Sequence, residues 1–350
     1  MRIKYKHPSL RFMKQIIQQI KNLESVSSLS KHEQLVQGII NAIDEKVVSK
    51  GDLMPSVNTI INELGFARET IAKAYKELIH RGIIESKNRL GYFVATNDVH
   101  QELKVALLLF AFDIFQETFY ENFRRGLGKN VQLDIYFHHN NFETFEHTVQ
   151  SIKGKYGMYV IAPIPNPKTA QLLKVLPSNR VLLVDRHIET DEDYNYVVQE
   201  FGDSSYKAFV QLKDKIKKYD EIIFFFKPSS AEPNEILNSF KKFMKDYDIK
   251  GIIKEEYEAG SLEKRKVYFT IHNLELWEML KDTKLKGFKL GKDIGFISHN
   301  DDIVKEIIFD GVTTFSTDFA EMGKKAADFV LNRKKTQEVI PTVLINRNSL

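Results

Sequence analysis

The sequence predicts an α/β body of two parallel-sheet lobes, preceded by a small α+β domain that forms a winged helix-turn-helix. Three observations indicate this fold class. Two short amphipathic helices separated by a glycine-containing turn occupy residues 56–82. From Lys104 onwards, short apolar runs alternate with amphipathic helical stretches, which is typical of sheets of parallel strands. These apolar runs are too many for one small sheet, so we expect two similar lobes.

The composition is that of a globular protein. The chain has 350 residues, enough for two domains, with 43% hydrophobic and 28% charged residues. There is no cysteine, which excludes disulfides, thiolate zinc sites and cysteine nucleophiles and fits a reducing cytoplasm. We see neither a signal-peptide core nor an apolar window of membrane-spanning length, so we expect a cytoplasmic protein without a membrane partner.

Positive charge is concentrated in the first part of the chain. Residues 1–100 contain 15 Lys and Arg against 10 Asp and Glu, whereas residues 101–350 contain 36 against 37. A basic small domain on a near-neutral large one is expected of a DNA-binding head joined to a ligand-sensing body. A difference of a few charges also arises by chance, so this asymmetry supports the motif below and does not stand alone.

The first elements are helical. Residues 10–23 have apolar positions at helical spacing, and we expect this amphipathic helix to pack on a domain or on a partner subunit. A serine-rich connector follows at 24–30. Residues 31–45 then form the first helix of the head, with Leu35, Ile39, Ile40 and Ile43 on its buried face.

Two shorter helices and a hairpin follow. Ser56 is placed to cap the first helix, which Gly65 ends, and Gly82 ends the second helix. Strands on either side of a polar turn at 87–91 form the hairpin. The predicted buried faces are Val57, Ile60, Ile61 and Leu64, and then Ile71, Ala74, Tyr75 and Leu78. This order puts the second helix into a DNA major groove, although similar helix pairs also occur in ordinary helical cores.

Ordered motifs carry a resemblance across this segment. They are Met54-Pro55-Ser56, Leu64-Gly65, Arg68-Glu69-Thr70-Ile71, Arg81-Gly82-Ile83-Ile84-Glu85 and Gly91-Tyr92-Phe93-Val94. Residues 31–94 thereby resemble the winged helix of GntR-family bacterial transcription regulators, which implies that Arg68 and Thr70 touch DNA. The family often has Arg where Asn58 stands and Gly-Arg-Gly at the wing tip, where this chain has Arg89-Leu90-Gly91. The predicted DNA-binding residues are Ser56, Asn58, Arg68, Glu69, Thr70, Lys73, Lys87, Arg89 and Gly91.

The body alternates strands and helices. Its predicted strands are 105–111, 131–137, 157–162, 180–185, 221–226, 249–254, 266–270, 293–298 and 312–315. Its predicted helices are 118–127, 142–153, 169–173, 204–216, 233–247, 274–281 and 320–331. Ligands of open parallel sheets bind at the carboxyl ends of the strands, which with two lobes means the cleft between them.

A second resemblance covers residues 104–350. Its marks are Leu182-Leu183-Val184-Asp185-Arg186, the run from Gly295 to Asp301, Val312-Thr313-Thr314-Phe315 and Val343-Leu344-Ile345-Asn346-Arg347. The body is thus similar to the effector domain of LacI-type repressors and is periplasmic-binding-protein-like. The resemblance implies a sugar cleft lined by Asp113, Phe115, Pro163, Arg186, Glu200, Asn273 and Asn300. At the positions of both asparagines the family usually has Asp, so the sugar class or its pose is expected to differ.

Four of these residues also have a purely structural alternative. Asp113 fits a loop or helix cap, Phe115 fits the core, and Asn300 fits a turn. Arg186 fits a salt bridge with Asp185.

No catalytic or metal constellation emerges. His138, His139 and His147 invite a metal interpretation, but nothing in their spacing brings the His pair to the helix face of Glu143 and His147. The Gly126-Leu127-Gly128-Lys129 run has the wrong spacing for a phosphate-binding loop. We therefore expect a non-enzyme with no metal and no cofactor.

These expectations combine into one functional prediction. The domains are predicted as an N-terminal helical extension at 1–30, a winged helix at 31–96, a linker at 97–103 and a two-lobed effector domain at 104–350. The chain would be a sugar-responsive repressor that binds two-fold symmetric operator DNA as a homodimer, with a monosaccharide effector such as fucose or arabinose. The alternatives are a carbohydrate-acting enzyme with a DNA-binding head and a DNA-binding protein without a ligand.

Overall fold

The computed structural model describes residues 10–24, 29–88, 90–97, 99, 103–111, 113–129, 131–228 and 232–350. The helices in this part of the chain are α1 (Leu10–Lys21), α2 (Lys31–Asp44), α3 (Val57–Leu64), α4 (Arg68–His80), α5 (Ile114–Leu127), α6 (Phe142–Ile152), α7 (Thr169–Leu173), α8 (Asp203–Ile216), α9 (Asn234–Tyr247), α10 (Asn273–Leu285), α11 (Ile303–Ile307) and α12 (Phe319–Asn332). The strands are β1 (Ile84–Lys87), β2 (Gly91–Val94), β3 (Leu103–Leu109), β4 (Val131–Phe137), β5 (Met158–Ile161), β6 (Val181–Asp185), β7 (Asn195–Glu200), β8 (Glu221–Phe225), β9 (Gly251–Lys254), β10 (Lys266–Thr270), β11 (Gly295–His299), β12 (Thr313–Thr317) and β13 (Gln337–Ile345).

Helix α1 packs on the head. Its buried residues Ile16, Ile17 and Ile20 join the same apolar core as the buried face of α2. At the start of α2, the Ser30 hydroxyl accepts a hydrogen bond from the Glu33 amide, and the Glu33 carboxylate accepts one from the Ser30 amide. This capping box fixes where α2 begins. The sequence predicts that the N-terminal helix packs on a domain or on a partner subunit. In the structure it packs on a domain of the same chain.

The helix-turn-helix forms as its pattern predicts. The Ser56 hydroxyl accepts from the Thr59 amide at 3.1 Å and caps α3, and Gly65 ends α3 at φ 66°. The buried residue Tyr75 in α4 donates to the Pro55 carbonyl at 2.5 Å and fixes the angle between the helices. Leu53 pairs with the wing strand β2, so a third chain segment extends the hairpin.

The body contains two sheets of the same topology joined edge to edge. The N-lobe sheet has the order β4-β3-β5-β6-β7 and the C-lobe sheet the order β9-β8-β10-β11-β12, all with parallel neighbours. Both follow a 2-1-3-4-5 strand order, the doubly wound arrangement with helices on both faces. Strand β13 joins them, because it pairs with β7 over 337–341 and with β12 over 342–345.

The sequence does not predict two of the strands, β7 and β13, or the helix α11. Strand β13 pairs antiparallel with β12 rather than parallel, and it contains Pro341, a residue that argues against a central strand. Strand β7 contains only two aliphatic residues, Val197 and Val198, among polar ones, so it does not form an apolar run. Helix α11 has five residues, too few to show a helical period. The linker predicted at 97–103 lies mostly outside the described residues, because only 97, 99 and 103 are described.

The chain crosses between the lobes three times. It leaves the N-lobe between β7 and α8, returns between β12 and α12, and crosses again within β13. Helix α12 belongs to the N-lobe, where it packs on α5. A Cβ at Gly323 would lie 2.4 Å from the Phe119 carbonyl oxygen, so only glycine permits this approach of the two helices. Three crossings form a hinge about which the lobes can rotate.

Candidate DNA-binding surface and ligand cleft

Helix α4 has one buried and one polar face. Ile71, Ala74, Tyr75 and Leu78 are buried, as the helical spacing predicts. The opposite face exposes Arg68, Glu69 and Lys73, with Thr70 half-buried beside them. The Glu69 carboxylate lies 3.1 Å from the Lys73 ammonium in an exposed pair, which contributes little to stability. This face is free to meet a nucleic-acid backbone or base edges.

Two predicted contact residues touch each other. The Arg68 guanidinium donates a hydrogen bond to the Asn58 side-chain oxygen at 2.7 Å, and both residues are exposed. Asn58 lies on α3 and Arg68 opens α4, so the bond spans the turn. It restricts an otherwise flexible cation and lowers the entropy lost when that cation binds.

The wing residues are partly committed to the fold. The Lys87 ammonium lies 2.9 Å from the Glu85 carboxylate and 5.0 Å from the centre of the Phe93 ring. Gly91 opens β2 at φ 107°, a backbone conformation that favours glycine. Arg89 lies outside the described residues. Ser56 serves α3 as its cap, as described above.

Three predicted ligand residues follow N-lobe strands. Asp113 is exposed and immediately precedes α5, whereas Pro163 is buried after β5. Phe115 is half-buried, with its ring centre 4.9 Å from that of Phe319 at the start of α12. Phe115 is therefore partly a core residue, as its structural alternative predicts. It lies where the N-lobe helix α5 meets the second crossover.

Arg186 lies at the carboxyl end of β6. The preceding Asp185 has φ 70°, which turns the chain sharply there. The Arg186 Nε lies 3.7 Å from the Asp185 carboxylate, and the guanidinium carbon lies 5.5 Å from the centre of the Phe201 ring. Burial raises the pKa of Asp185, while the Arg186 charge opposes that rise. Arg186 thus forms the salt bridge with Asp185 that its structural alternative predicts, and it also contacts the Phe201 ring in the first crossover.

Glu200 caps a helix. One carboxylate oxygen accepts from the Gly202 amide at 2.8 Å and the Asp203 amide at 2.9 Å, and the other accepts from the Ser204 amide. Burial would raise the pKa of Glu200, but these hydrogen bonds hold it below its ordinary value. Its carboxylate is therefore committed to the start of α8, where negative charge is favourable.

The two asparagines lie in the C-lobe. Asn273 is the first residue of α10 and is half-buried. Asn300 follows β11 at φ 58°, and its amide donates to the Phe315 carbonyl at 3.0 Å. The turn alternative for Asn300 describes its backbone. Its side-chain oxygen is buried and has no hydrogen-bond partner among the described residues.

Sequence reasoning missed His299. This residue ends β11, is 2% exposed, and neither ring nitrogen has a hydrogen-bond partner in the described part of the chain. Burial, together with the charges of Lys305 and Arg186, lowers its pKa to about 3, so the imidazole is neutral at physiological pH. The available signal was its place in the Gly295–Asp301 run, directly after an apolar strand.

A buried lysine supports the same loop. The Lys305 ammonium donates to the His299 carbonyl at 3.0 Å and to the Asn300 carbonyl at 2.7 Å. Burial lowers its pKa to about 8. Next to it, the Arg347 guanidinium forms two hydrogen bonds to the Asp301 carboxylate, at 2.6 and 2.8 Å. These contacts hold the ends of β11 and β12 in a fixed arrangement.

Of the histidines that suggested a metal site, His138 lies in the core, whereas His139 and His147 are exposed. His138 is 1% exposed, its Nε2 lies 3.0 Å from the Ala162 carbonyl oxygen, and burial lowers its pKa to about 4. Within the described ranges, no group of three or more His, Asp or Glu side chains could hold a metal ion. Over the same ranges, no helix has the length and apolar character needed to cross a membrane.

Comparison with known proteins identifies the head. Residues 31–94 match the family model described as bacterial regulatory proteins, gntR family, and form a GntR-type helix-turn-helix domain. The HTH-type transcriptional regulator Rv1152 of Mycobacterium tuberculosis is 32% identical over 66 residues, which are 19% of this chain and 54% of that protein. The chain spans about half the length of the curated relatives it matches.

Comparison with solved structures identifies the fold of the body. A LacI family transcriptional regulator from Lactobacillus casei with bound sucrose aligns over 71% of this chain and 99% of its own, with a TM-score of 0.60 and 17% identity. A periplasmic binding protein/LacI transcriptional regulator from Alkaliphilus metalliredigens, complexed with D-xylulofuranose, aligns over 70% and 98%, with a TM-score of 0.57 and 11% identity. At these identities the likeness shows the fold, which is periplasmic-binding-protein-like.

Proposed function

We propose that this chain is a sugar-responsive, cytoplasmic transcription regulator. Its head would place α4 in the major groove of operator DNA, and its body would hold a monosaccharide in the cleft between the lobes. We further propose the division predicted above, with the head at 31–96 and the effector domain at 104–350. The nine predicted DNA contacts and seven predicted cleft residues belong to this proposal, with Glu200 acting as a cap beside the site.

One observation carries the proposal. The same chain joins a GntR-type helix-turn-helix to a two-lobed body in which both Arg186 and His299 lie close to the Phe201 ring, the Arg186 guanidinium carbon at 5.5 Å and the His299 ring centre at 6.2 Å from its centre. Arg186 belongs to the N-lobe, Phe201 to the first crossover and His299 to the C-lobe. A polar ligand bound among these groups would contact both lobes at once and would favour one lobe orientation over others.

Regulation then follows from linkage. A dimer would present two α4 helices to the two halves of an operator, and the spacing between them would depend on how the lobes are oriented. A sugar that favours one orientation changes the affinity for DNA, and DNA must change the affinity for the sugar by the same factor. The solved neighbours were determined with D-xylulofuranose and with sucrose bound, which supports a sugar as the effector.

A thermal-shift screen tests the sugar assignment. Arabinose, fucose, xylulose, glucose and sucrose are added separately, since a ligand of the folded state raises the melting temperature as its concentration rises. We expect one sugar to raise it and Arg186→Ala to abolish the shift. Arg125→Ala removes an exposed arginine of α5 and should retain the shift. If no sugar shifts the melting temperature, the sugar assignment is wrong and the body has another role.

A further inference from the structure

The cleft contains buried polar atoms that lack partners. Both ring nitrogens of His299, the side-chain oxygen of Asn300 and the side-chain oxygen of Gln199 have none within the described ranges. Gln199 is 7% exposed near the carboxyl end of β7, and His299 is at the carboxyl end of β11. Buried polar side-chain atoms are usually hydrogen-bonded, so several such atoms at one place indicate a role that the fold alone does not explain.

These residues are connected through direct contacts. The Gln199 side-chain amide donates to the Asp185 carboxylate, the neighbour of Arg186. The Arg186 guanidinium covers the Phe201 ring, and the His299 ring centre lies 6.2 Å from that of Phe201. One group from each lobe thus faces the first crossover. A ligand admitted by lobe opening could reach both groups.

The described cations around the cleft already have partners. The buried Lys305 ammonium donates to the His299 and Asn300 carbonyls and lies 3.9 Å from the Asp302 carboxylate. Arg186 faces Asp185 at 3.7 Å, and the Arg347 guanidinium is bound to Asp301 through two hydrogen bonds. The His272 ring nitrogen lies 2.7 Å from the Glu232 carboxylate. A phosphate or carboxylate would have to displace one of these acids to gain a charge-assisted contact.

Two of the helix N-termini at the cleft, those of α8 and α12, are also occupied. Glu200 caps α8 through the three amides described above, and the Asp318 carboxylate accepts from the Glu321 amide at 2.8 Å to cap α12. Helix N-termini are common anion sites because their amides are free and their dipole is positive. A carboxylate of the chain itself takes both of these positions, which leaves them closed to an anionic ligand.

We propose that His299, Asn300 and Gln199 form an uncharged hydrogen-bonding site that selects a neutral, hydroxyl-rich ligand over its phosphorylated or acidic counterpart. This proposal rests on the proposed function and names the chemical class of its effector. The oxygens of Asn300 and Gln199 require donors, and the neutral imidazole offers one donor and one acceptor. Sugar hydroxyls supply both, whereas ionised phosphate and carboxylate oxygens only accept. A phosphate or carboxylate group placed against these oxygens would therefore leave them unpaired.

Isothermal titration with matched pairs tests the selectivity. Each neutral sugar is compared with its own charged form: glucose with glucose 6-phosphate and gluconate, and arabinose and xylulose with their 5-phosphates. We expect a neutral sugar to bind roughly 100-fold more tightly than its charged partner. A phosphate that binds as tightly as its parent sugar would overturn this inference and leave the sugar-sensor proposal standing. If neither class binds, both proposals fail.

A substitution tests His299 directly. Its ring lies among those of Phe201 and Phe315, so His299→Phe should be accommodated, and the melting temperature of the free protein should not fall. The same variant should weaken binding of the selected sugar at least about tenfold, because two hydrogen-bonding atoms are lost. Unchanged sugar affinity in a folded His299→Phe would overturn the role of His299. If His299→Phe does not fold, the affinity of Asn300→Ala for the selected sugar is measured instead, and an unchanged affinity would overturn the proposed site.

Tyr194→Phe is the matched control. The Tyr194 hydroxyl is likewise buried without a partner among the described residues, but Tyr194 precedes β7, at the end opposite the cleft. Its removal should leave sugar affinity unchanged. Equal losses in Tyr194→Phe and His299→Phe would show that any buried polar deletion disturbs the cleft, and would contradict a specific site at His299.

Discussion

Arg333, which directly follows α12, pairs through its guanidinium with the carboxylate of Asp44, the last residue of α2. The Asp44 side chain is 8% exposed and that of Arg333 is 24% exposed. Helix α12 begins at the second lobe crossover and has 14 residues, or about 21 Å of length. One rigid helix therefore connects the hinge between the lobes to the DNA-binding head.

A second ion pair reinforces this junction. The Arg180 guanidinium lies 3.6 Å from the carboxylate of Glu45, the residue that follows Asp44 in the sequence. Two carboxylates thus stand at the C-terminal end of α2, where the helix dipole disfavours negative charge, and each faces an arginine of the N-lobe. These two charge pairs link the head to the N-lobe.

Loss of Arg333 should destabilise the junction. Arg333→Ala leaves the Asp44 carboxylate buried without its cation, and we expect the free energy of unfolding to fall by about 2 kcal/mol, below the range for fully buried pairs because Arg333 is partly exposed. Urea denaturation measures this. Adding Asp44→Asn should restore part of the loss. Lys174→Ala, which breaks the more exposed pair with Asp191, should leave the midpoint unchanged; a loss equal to that of Arg333→Ala would contradict a specific role for this junction.

Loss of Arg68 should weaken DNA binding. We expect Arg68→Ala to lower the affinity for a selected duplex by about 1–3 kcal/mol if Arg68 contacts a base, or to reduce the salt dependence by about one counterion if it contacts a phosphate. Asn58→Ala should have a smaller effect of the same kind, because it releases the Arg68 side chain. Fluorescence anisotropy measures both. Arg125→Ala removes the same charge from the body and is the control. A loss of DNA affinity in Arg125→Ala as large as that in Arg68→Ala would rule out a local contact by Arg68.

Removal of the Glu200 cap of α8 should lower the free energy of unfolding. Glu200→Ala leaves three amides at the start of α8 without their acceptor and should cost about 1–2 kcal/mol, while Glu200→Gln keeps one acceptor oxygen and should cost less. The folded-state pKa of Glu200 is depressed, so its contribution is present above about pH 4.3, the unfolded value, and is lost as pH falls through the folded value. Urea titrations between pH 3 and pH 7 measure it. A difference between wild type and Glu200→Gln that does not shrink in acid would contradict the cap.

The His272–Glu232 pair should give the opposite pH dependence. The hydrogen bond to Glu232 raises the pKa of His272, so its stabilisation is full below about pH 6.5, the unfolded value, and is lost as pH rises through the folded value. We expect the stability advantage of wild type over His272→Gln to decrease between pH 6 and pH 9. Glu232→Gln should remove most of that slope. Exposed His147 provides the control: a slope of the same size in His147→Gln would show that the pair is not its source.

The sequence predicts the head closely because its signals are local. Ser56, Gly65 and the helical spacing of α4 each act within a few residues, and all appear in the structure where they are expected. The body is predicted less completely, because strand pairing depends on distant segments. Strand β13 shows this, since Pro341 argues against a strand and only its pairing with β7 and β12 explains it.

Site residues are harder to predict than elements. Glu200 and Arg186 were both assigned to the cleft by resemblance, yet the Glu200 carboxylate caps α8, an interaction that depends on the exact turn after β7. His299 could not be distinguished from a core residue, because its unpartnered nitrogens become visible only when its surroundings are known. Sequence patterns place a residue near the cleft, and the hydrogen bonds decide its role.

Reciprocal linkage shows whether sugar binding and DNA binding are coupled. The affinity for a selected DNA duplex is measured with and without a saturating neutral sugar, and the affinity for that sugar is measured with and without the duplex. We expect both affinities to change by the same factor, roughly 5- to 150-fold, and Arg186→Ala to abolish the effect of the sugar on DNA binding. A sugar that binds the cleft and leaves the affinity for DNA unchanged would contradict a regulator whose DNA binding responds to that sugar.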